Sequence, residues 1–159
     1  MVMALIAHQD PEADAIFAAE QKRDTSGDGP KYAYIAEAAR PTPENKRKYF
    51  DDYLHNASRP EDWVEESLGA FNYWNQSALT EPYLKPSLDA LGQIKRERKI
   101  FFLVDWLNAF LDGQRTPAAQ TQVHHYLQTA TMDNDLQMKI LQAVDDLDRT
   151  VAIRRKFPQ

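Results

Sequence analysis

The sequence contains no cysteine, so neither a disulfide framework nor a thiolate metal site can form. Its five glycines build no phosphate-cradling loop, no dinucleotide fingerprint and no Gly-x-Ser-x-Gly nucleophile turn. His-Glu-x-x-His is absent, as is the Glu-x-x-His of di-iron bundles. Long apolar runs are missing too. The most apolar stretch, Ile100 to Leu111, contains Asp105 and falls well short of the roughly 20 residues that span a bilayer. Large basic patches are also lacking: the net charge is −5, and Lys46-Arg47-Lys48, Lys95 to Lys99 and Arg154-Arg155-Lys156 read as solvated helix faces or ends. Neither nucleic acid nor a membrane is an expected partner, and a cytoplasmic location is expected. The opening MVMALIAHQ has no basic leader and is too short for a signal peptide; it reads as the end of an earlier helix, an apolar stub through which copies could self-associate.

What the sequence has in abundance is helix-start punctuation. Asp10-Pro11, Gly29-Pro30, Thr42-Pro43, Ser58-Arg59-Pro60-Glu61, Thr80-Glu81, Thr116-Pro117 and Asp133 each place a small capping residue before a helical run. The capping side chain satisfies exposed N–H groups, and proline in the first turn lacks an N–H that needed no partner. Alternate starts (Asp10, Thr42, Thr80, Thr116) recur at intervals of about 32 to 38 residues, in the range of helical-pair repeats. The expected fold is all-α: an α/α superhelix of about eight short antiparallel helices, HEAT-like, forming a single helical domain over residues 1–159. A compact helix bundle is the alternative.

The eight helices follow from pattern. The first runs from Pro11 to Lys22 or Arg23, the second from Lys31 to Ala39 with Tyr32, Ile35 and Ala39 as its stripe, and the third from Pro43 to about Leu54. The fourth starts at the Ser58–Glu61 capping box, buries Trp63, Val64 and Leu68, and breaks near Gly69. The fifth contains Pro86, which predicts a kink or two pieces. The sixth, Ile94 to Asp112, is apolar almost all round, which predicts packing on several sides. The seventh is Pro117 to Ala130. The eighth, Asn134 to Arg155, carries Leu136, Ile140, Val144, Leu147 and Val151 on one face.

Candidate chemistry is sparse. Asp24-x-Ser26-x-Asp28-Gly29 imitates the first half of a calcium loop, but the twelfth position is Ile35 instead of glutamate, so an ordinary turn is expected. His124 and His125 point about 100° apart on a helix and cannot share a metal. Asp105, in the most apolar stretch, is the carboxylate expected to be poorly solvated, and Asp145 with Arg149 reads as an i, i+4 ion pair. No catalytic, cofactor-binding or metal-ligating residue is assigned. The segment Phe71-Asn72-Tyr73-Trp74-Asn75-Gln76 differs from the rest, because aromatics and amides crowd a break between helices. The segment reads first as a buried corner that holds the loop in shape; functionally, such groups suit contact with a peptide backbone.

Pro41-Thr42-Pro43-Glu44-Asn45-Lys46, then Phe71-Asn72, then Gln76-Ser77-Ala78-Leu79-Thr80-Glu81-Pro82-Tyr83, and finally Asp145-Asp146-Leu147-Asp148-Arg149 follow in an order that resembles the C-terminal helical domain of M1-family zinc aminopeptidases (the aminopeptidase N group). The resemblance extends from about Ala4 to Arg154. It implies a C-terminal piece of a larger enzyme, a superhelix that closes over a thermolysin-like catalytic domain and receives the distal part of a peptide. The partners it implies are that catalytic domain and the peptide substrate. Zinc is implied for the parent enzyme and no cofactor for this chain, which should be inactive alone. The residues expected to face the peptide are Gln76, Asn75 and Tyr73, with Gln76 carried over from the matching segment; some relatives have an arginine where this chain has Thr80. A free-standing helical-repeat scaffold that binds a protein partner is the competing expectation.

Overall fold

The capping chemistry read from the sequence is realised at three helix starts. The Thr42, Thr116 and Asp133 side chains accept from the backbone N–H of Asn45, Ala119 and Leu136 at 3.2, 3.0 and 2.9 Å. The computed structural model describes residues 1–157, and it is all-α: eleven α-helices, one 3-10 turn and no strand among the described residues. The chain folds as two compact units, Met1–Leu79 and Thr80–Gln159.

The first unit contains α1 (Val2–Ala7), α2 (Ala13–Arg23), α3 (Gly29–Ala38), α4 (Pro43–His55) and α5 (Glu61–Phe71), after which α6 (Ser77–Thr80) begins. Alanines at 36 and 38 let α3 approach its neighbours closely, and both are buried. Phe50 and Tyr53 on α4 meet Phe71 of α5, with the Tyr53 and Phe71 rings edge-on at 5.6 Å. Tyr32, expected in the buried stripe of α3, is 58% exposed. The helix turns its alanine side inward, because three helices can share that face only where side chains are small.

The Ser58–Glu61 capping box does not form. Ser58 Oγ donates to Asn56 Oδ1 at 2.6 Å, and α5 begins after Pro60 with no side-chain cap. Gly69 is interior to α5 and not a break; it is exposed with open space around it, so packing on the other face carries the helix past it. Most of α1 is half-buried or buried, and Met1 is 92% exposed.

The second unit opens with a 3-10 turn (Glu81–Tyr83), then α7 (Leu84–Asp89), α8 (Leu91–Glu97), α9 (Ile100–Asp112), α10 (Pro117–Thr129) and α11 (Asn134–Lys156). The segment around Pro86 is thus broken into more pieces than a single kink would give. The expected helix from Ile94 is interrupted because Arg98 is extended (φ −116°, ψ 164°). Trp106 anchors this core, its ring tilted against that of Phe110 with centroids 4.5 Å apart and its Nε1 donating to the Ser87 carbonyl at 3.1 Å. The α11 stripe is buried as its spacing predicts. Each such aliphatic side chain contributes roughly 1.5–3 kcal/mol of burial.

Two expectations about α9 need correction. It packs on several sides, against α7, α8 and α11, but it keeps a solvent face on which Ile100, Phe101 and Val104 are 51%, 75% and 36% exposed. Asp105 is only half-buried. At the end of α9 the Asp112 carboxyl is raised, first by desolvation and then by nearby Asp146. No helix is long and apolar enough to cross a membrane among the described residues.

Candidate functional site

The aromatic and amide segment sits where three helices of the first unit end. Helix C-termini expose carbonyl oxygens that have no partner within their own helix. Here those oxygens converge and are collected by two buried side chains. Gln76 Nε2 donates to the carbonyls of Ala39 (2.8 Å) and Ala7 (3.3 Å), just past the end of α3 and at the end of α1. Lys46 Nζ donates to the carbonyls of Ala38 (2.9 Å) and Phe71 (2.6 Å), the last residues of α3 and α5. Asn45 Nδ2 adds a bond to the Glu37 carbonyl at 2.8 Å. A local turn, closed by Gln76 N–H to the Tyr73 carbonyl at 2.8 Å, then lifts residues 73–75 outward.

Lys46 corrects the reading of Lys46-Arg47-Lys48 as a solvated run, for it is fully buried. Burial pushes its ammonium down to about 7. A neutral amine has two N–H donors, matching the two carbonyls it meets. The Phe71 ring, 5.0 Å from Nζ, covers a third side. The sequence did carry a signal: Lys46 is three, four and seven residues before Tyr49, Phe50 and Tyr53, on the same helical stripe.

Over this polar floor lies an exposed cluster of rings and amides. His8 meets Tyr73 edge-on at 5.7 Å and Trp74 at 5.7 Å, and its Nδ1 is 3.3 Å from Asn75 Nδ2. Trp74 is 56% exposed, Asn75 and His8 are exposed, and Tyr73 is half-buried. The backbone holds His8 in place. Gln9 has φ 55°, and its N–H and that of Asp10 return to the carbonyls of Ile6 (3.1 Å) and Leu5 (3.0 Å). That is a Schellman C-cap with glutamine in the left-handed position that glycine usually fills.

Of the three peptide-facing candidates, Tyr73 and Asn75 therefore share the surface. Gln76 lies beneath it, 4% exposed, with its amide N–H groups committed to main-chain carbonyls. His8 escaped sequence reading because it is 67 residues from Asn75 and shows no local pattern.

The other motifs resolve into scaffolding. Asp24 Oδ1 accepts from Ser26 N–H at 2.9 Å, making the calcium-like loop a turn. His124 Nε2 meets Asp148 at 2.9 Å, while Gln120 Nε2 donates to the same carboxylate at 2.9 Å. His125 is exposed. Asp145 and Arg149 pair as their spacing predicts. Asp52 accepts from Tyr34 Oη (2.7 Å), Arg59 Nε (2.9 Å) and Asn56 Nδ2 (2.7 Å), tying α3, α4 and the turn into α5. No group of three or more histidines and carboxylates is placed to hold a metal among the described residues. Chemically, the cluster can stack on side chains and bond to main-chain amides, and it has no nucleophile with an adjacent base. No family model and no curated protein matches this chain.

Proposed function

We propose that the chain is the non-catalytic C-terminal helical domain of an M1-family zinc aminopeptidase, and that its His8–Tyr73–Trp74–Asn75 surface contacts the distal part of the peptide. The observation that carries the reading is the exposed ring-and-amide cluster seated on a floor of buried donors. A peptide main chain offers alternating N–H and C=O groups without charge. Such a chain is bound well by flat aromatic faces and amides that both donate and accept.

The rigid floor lowers the cost of binding, since the turn that presents Trp74 and Asn75 is already fixed. Gln76 acts in this reading as a positioning residue for that turn. Zinc and its ligands belong to the catalytic part of the enzyme. No group of three or more histidines and carboxylates is placed to hold a metal among the described residues, and no step here runs through one. The ordered motifs from Pro41 to Arg149 support the family, and the helical, repeat-like architecture agrees with it.

A free-standing scaffold that binds a protein partner is favoured by one observation, the exposed Ile100, Phe101 and Val104 on α9. The coding sequence separates the two. The aminopeptidase reading expects an open frame that continues upstream into His-Glu-x-x-His with a following glutamate. A frame that stops short of any such motif overturns it.

A further inference from the structure

A second surface in the first unit lies between α1, α2 and α3. The loop that imitates a calcium site in sequence forms one of its walls. Gly29 packs there so tightly that a Cβ would stand 3.0 Å from the Asp24 carbonyl oxygen and 3.3 Å from its carboxyl carbon. The close approach draws the Asp24 side chain to the edge of a cavity of about 230 Å³. Its walls are apolar, with Val2, Phe17, Ala33 and Ala36, and Tyr32 stands exposed at the edge. The rim carries two carboxylates, Glu20 and Asp24. Arg23 is already paired to Glu20 at 2.5 Å, so one cation answers two anions.

Small-molecule sites usually enclose about 300–1,000 Å³, and this one is smaller and open. It has room for a single large apolar side chain. The acidic rim selects what flanks that side chain. The first unit as a whole is acidic, which extends the same preference beyond the rim.

We infer that the α1–α2–α3 cavity is a docking site for a partner segment that presents one phenylalanine- or leucine-sized side chain between basic residues. The side chain fills the cavity against Phe17 and Ala33, and the flanking ammonium or guanidinium groups lie against Glu20 and Asp24. The site is separate from the ring-and-amide cluster and does not depend on its function.

The test is an amide-resolved NMR titration of the whole chain with acetyl-Lys-Phe-Lys-amide and, in parallel, acetyl-Glu-Phe-Glu-amide. Saturable shifts are expected at Phe17, Gly29, Ala33 and Ala36 with the basic peptide. The acidic peptide should bind at least about tenfold more weakly, since each rim contact contributes up to about fivefold in affinity. Ala33→Phe, which fills the cavity, should abolish the shifts. Glu20→Lys, a surface change that leaves the packing intact, should weaken the basic peptide about fivefold or more and narrow the gap between the two. Equal binding of both peptides, an unaltered affinity in Glu20→Lys, or shifts confined to other residues would overturn the proposal. So would 2-phenylethylamine binding as tightly as the basic peptide, which would make the cavity a small-molecule site.

Discussion

Replacing Lys46 by methionine removes the donor that joins α3 to α5 while keeping nearly the same volume. Two opposing effects decide the result. The variant no longer buries a titratable amine, and replacing a buried charge by a well-packed apolar group is often neutral or stabilising. Against this, the carbonyls of Ala38 and Phe71 lose their bonds at 2.9 and 2.6 Å in a site closed to water. Each buried carbonyl left without a donor costs about 1–3 kcal/mol. Deprotonating the amine for burial costs about 1.4 kcal/mol for each pH unit below 10.5, which is substantial at pH 8 but small at pH 9.5, where the lost bonds dominate. At pH 9.5 we expect a net destabilisation of about 1–4 kcal/mol. With a urea slope of about 2 kcal/mol/M for a chain of this size, the midpoint at pH 9.5 should fall by about 0.5–2 M.

The pH dependence supplies a second signature. The folded-state value of about 7 lies below the ordinary lysine value of 10.5, so between these limits the unfolded chain binds a proton that the folded chain lacks. Stability contributed by this group therefore rises as pH increases from about 7 toward 10.5. In Lys46→Met that rise should be missing, so the gap between wild type and variant widens with pH. Urea unfolding followed by far-UV circular dichroism at pH 6.5, 8 and 9.5 reads both effects. A variant as stable as wild type at pH 9.5, or a gap constant across the series, would refute the reasoning.

Gln9→Gly should stabilise the chain by about 0.5–1 kcal/mol, raising the calorimetric Tm by about 2–4 °C, because φ 55° suits glycine and strains glutamine. Gln9→Val should lower it, and the same Tm for both would remove the claim of strain. Asp52→Asn should cost about 1–3 kcal/mol through weakened bonds to Tyr34, Arg59 and Asn56, read as a lower urea midpoint at neutral pH. Burial pushes the Asp52 carboxyl up, but Arg59, Asn56 and Tyr34 together hold it below the ordinary value of 3.8. The stability it contributes is therefore present above that value and lost as pH falls through the lower folded one, and the acid limb of Asp52→Asn should be shallower.

Helices that pair a capping side chain with a long periodic stripe were legible from sequence. Pro43–His55, Pro117–Thr129 and Asn134–Lys156 begin within a residue or two of where Thr42, Thr116 and Asp133 predict. Local cues failed where tertiary packing chose between alternatives. Ser58 had a cap to offer but bonds Asn56, and Gly69 continues a helix because the opposite face of α5 is buried. The α9 pattern, apolar all round, could not reveal that Ile100, Phe101 and Val104 have no neighbour to cover them.

The candidate site was half legible. Composition marked residues 71–76 as unusual, and Tyr73 and Asn75 do reach the surface. Alternation of exposure within a turn is set by which amide meets the converging carbonyls. No local pattern says that Gln76 turns inward while Trp74 turns out, or that His8 completes the cluster.

The most direct measurement tests the proposed aminopeptidase reading: the KM of a Trp74→Ala variant of the full-length protein for a seven-residue peptide and for leucine p-nitroanilide. Loss of the ring should raise KM for the long peptide about tenfold, in keeping with about 1–3 kcal/mol for a buried aromatic contact. The kinetics of the nitroanilide, which is too short to reach the cluster, should stay unchanged. A variant that handles both substrates like wild type, or loses both equally, would contradict a peptide-contacting role for this surface.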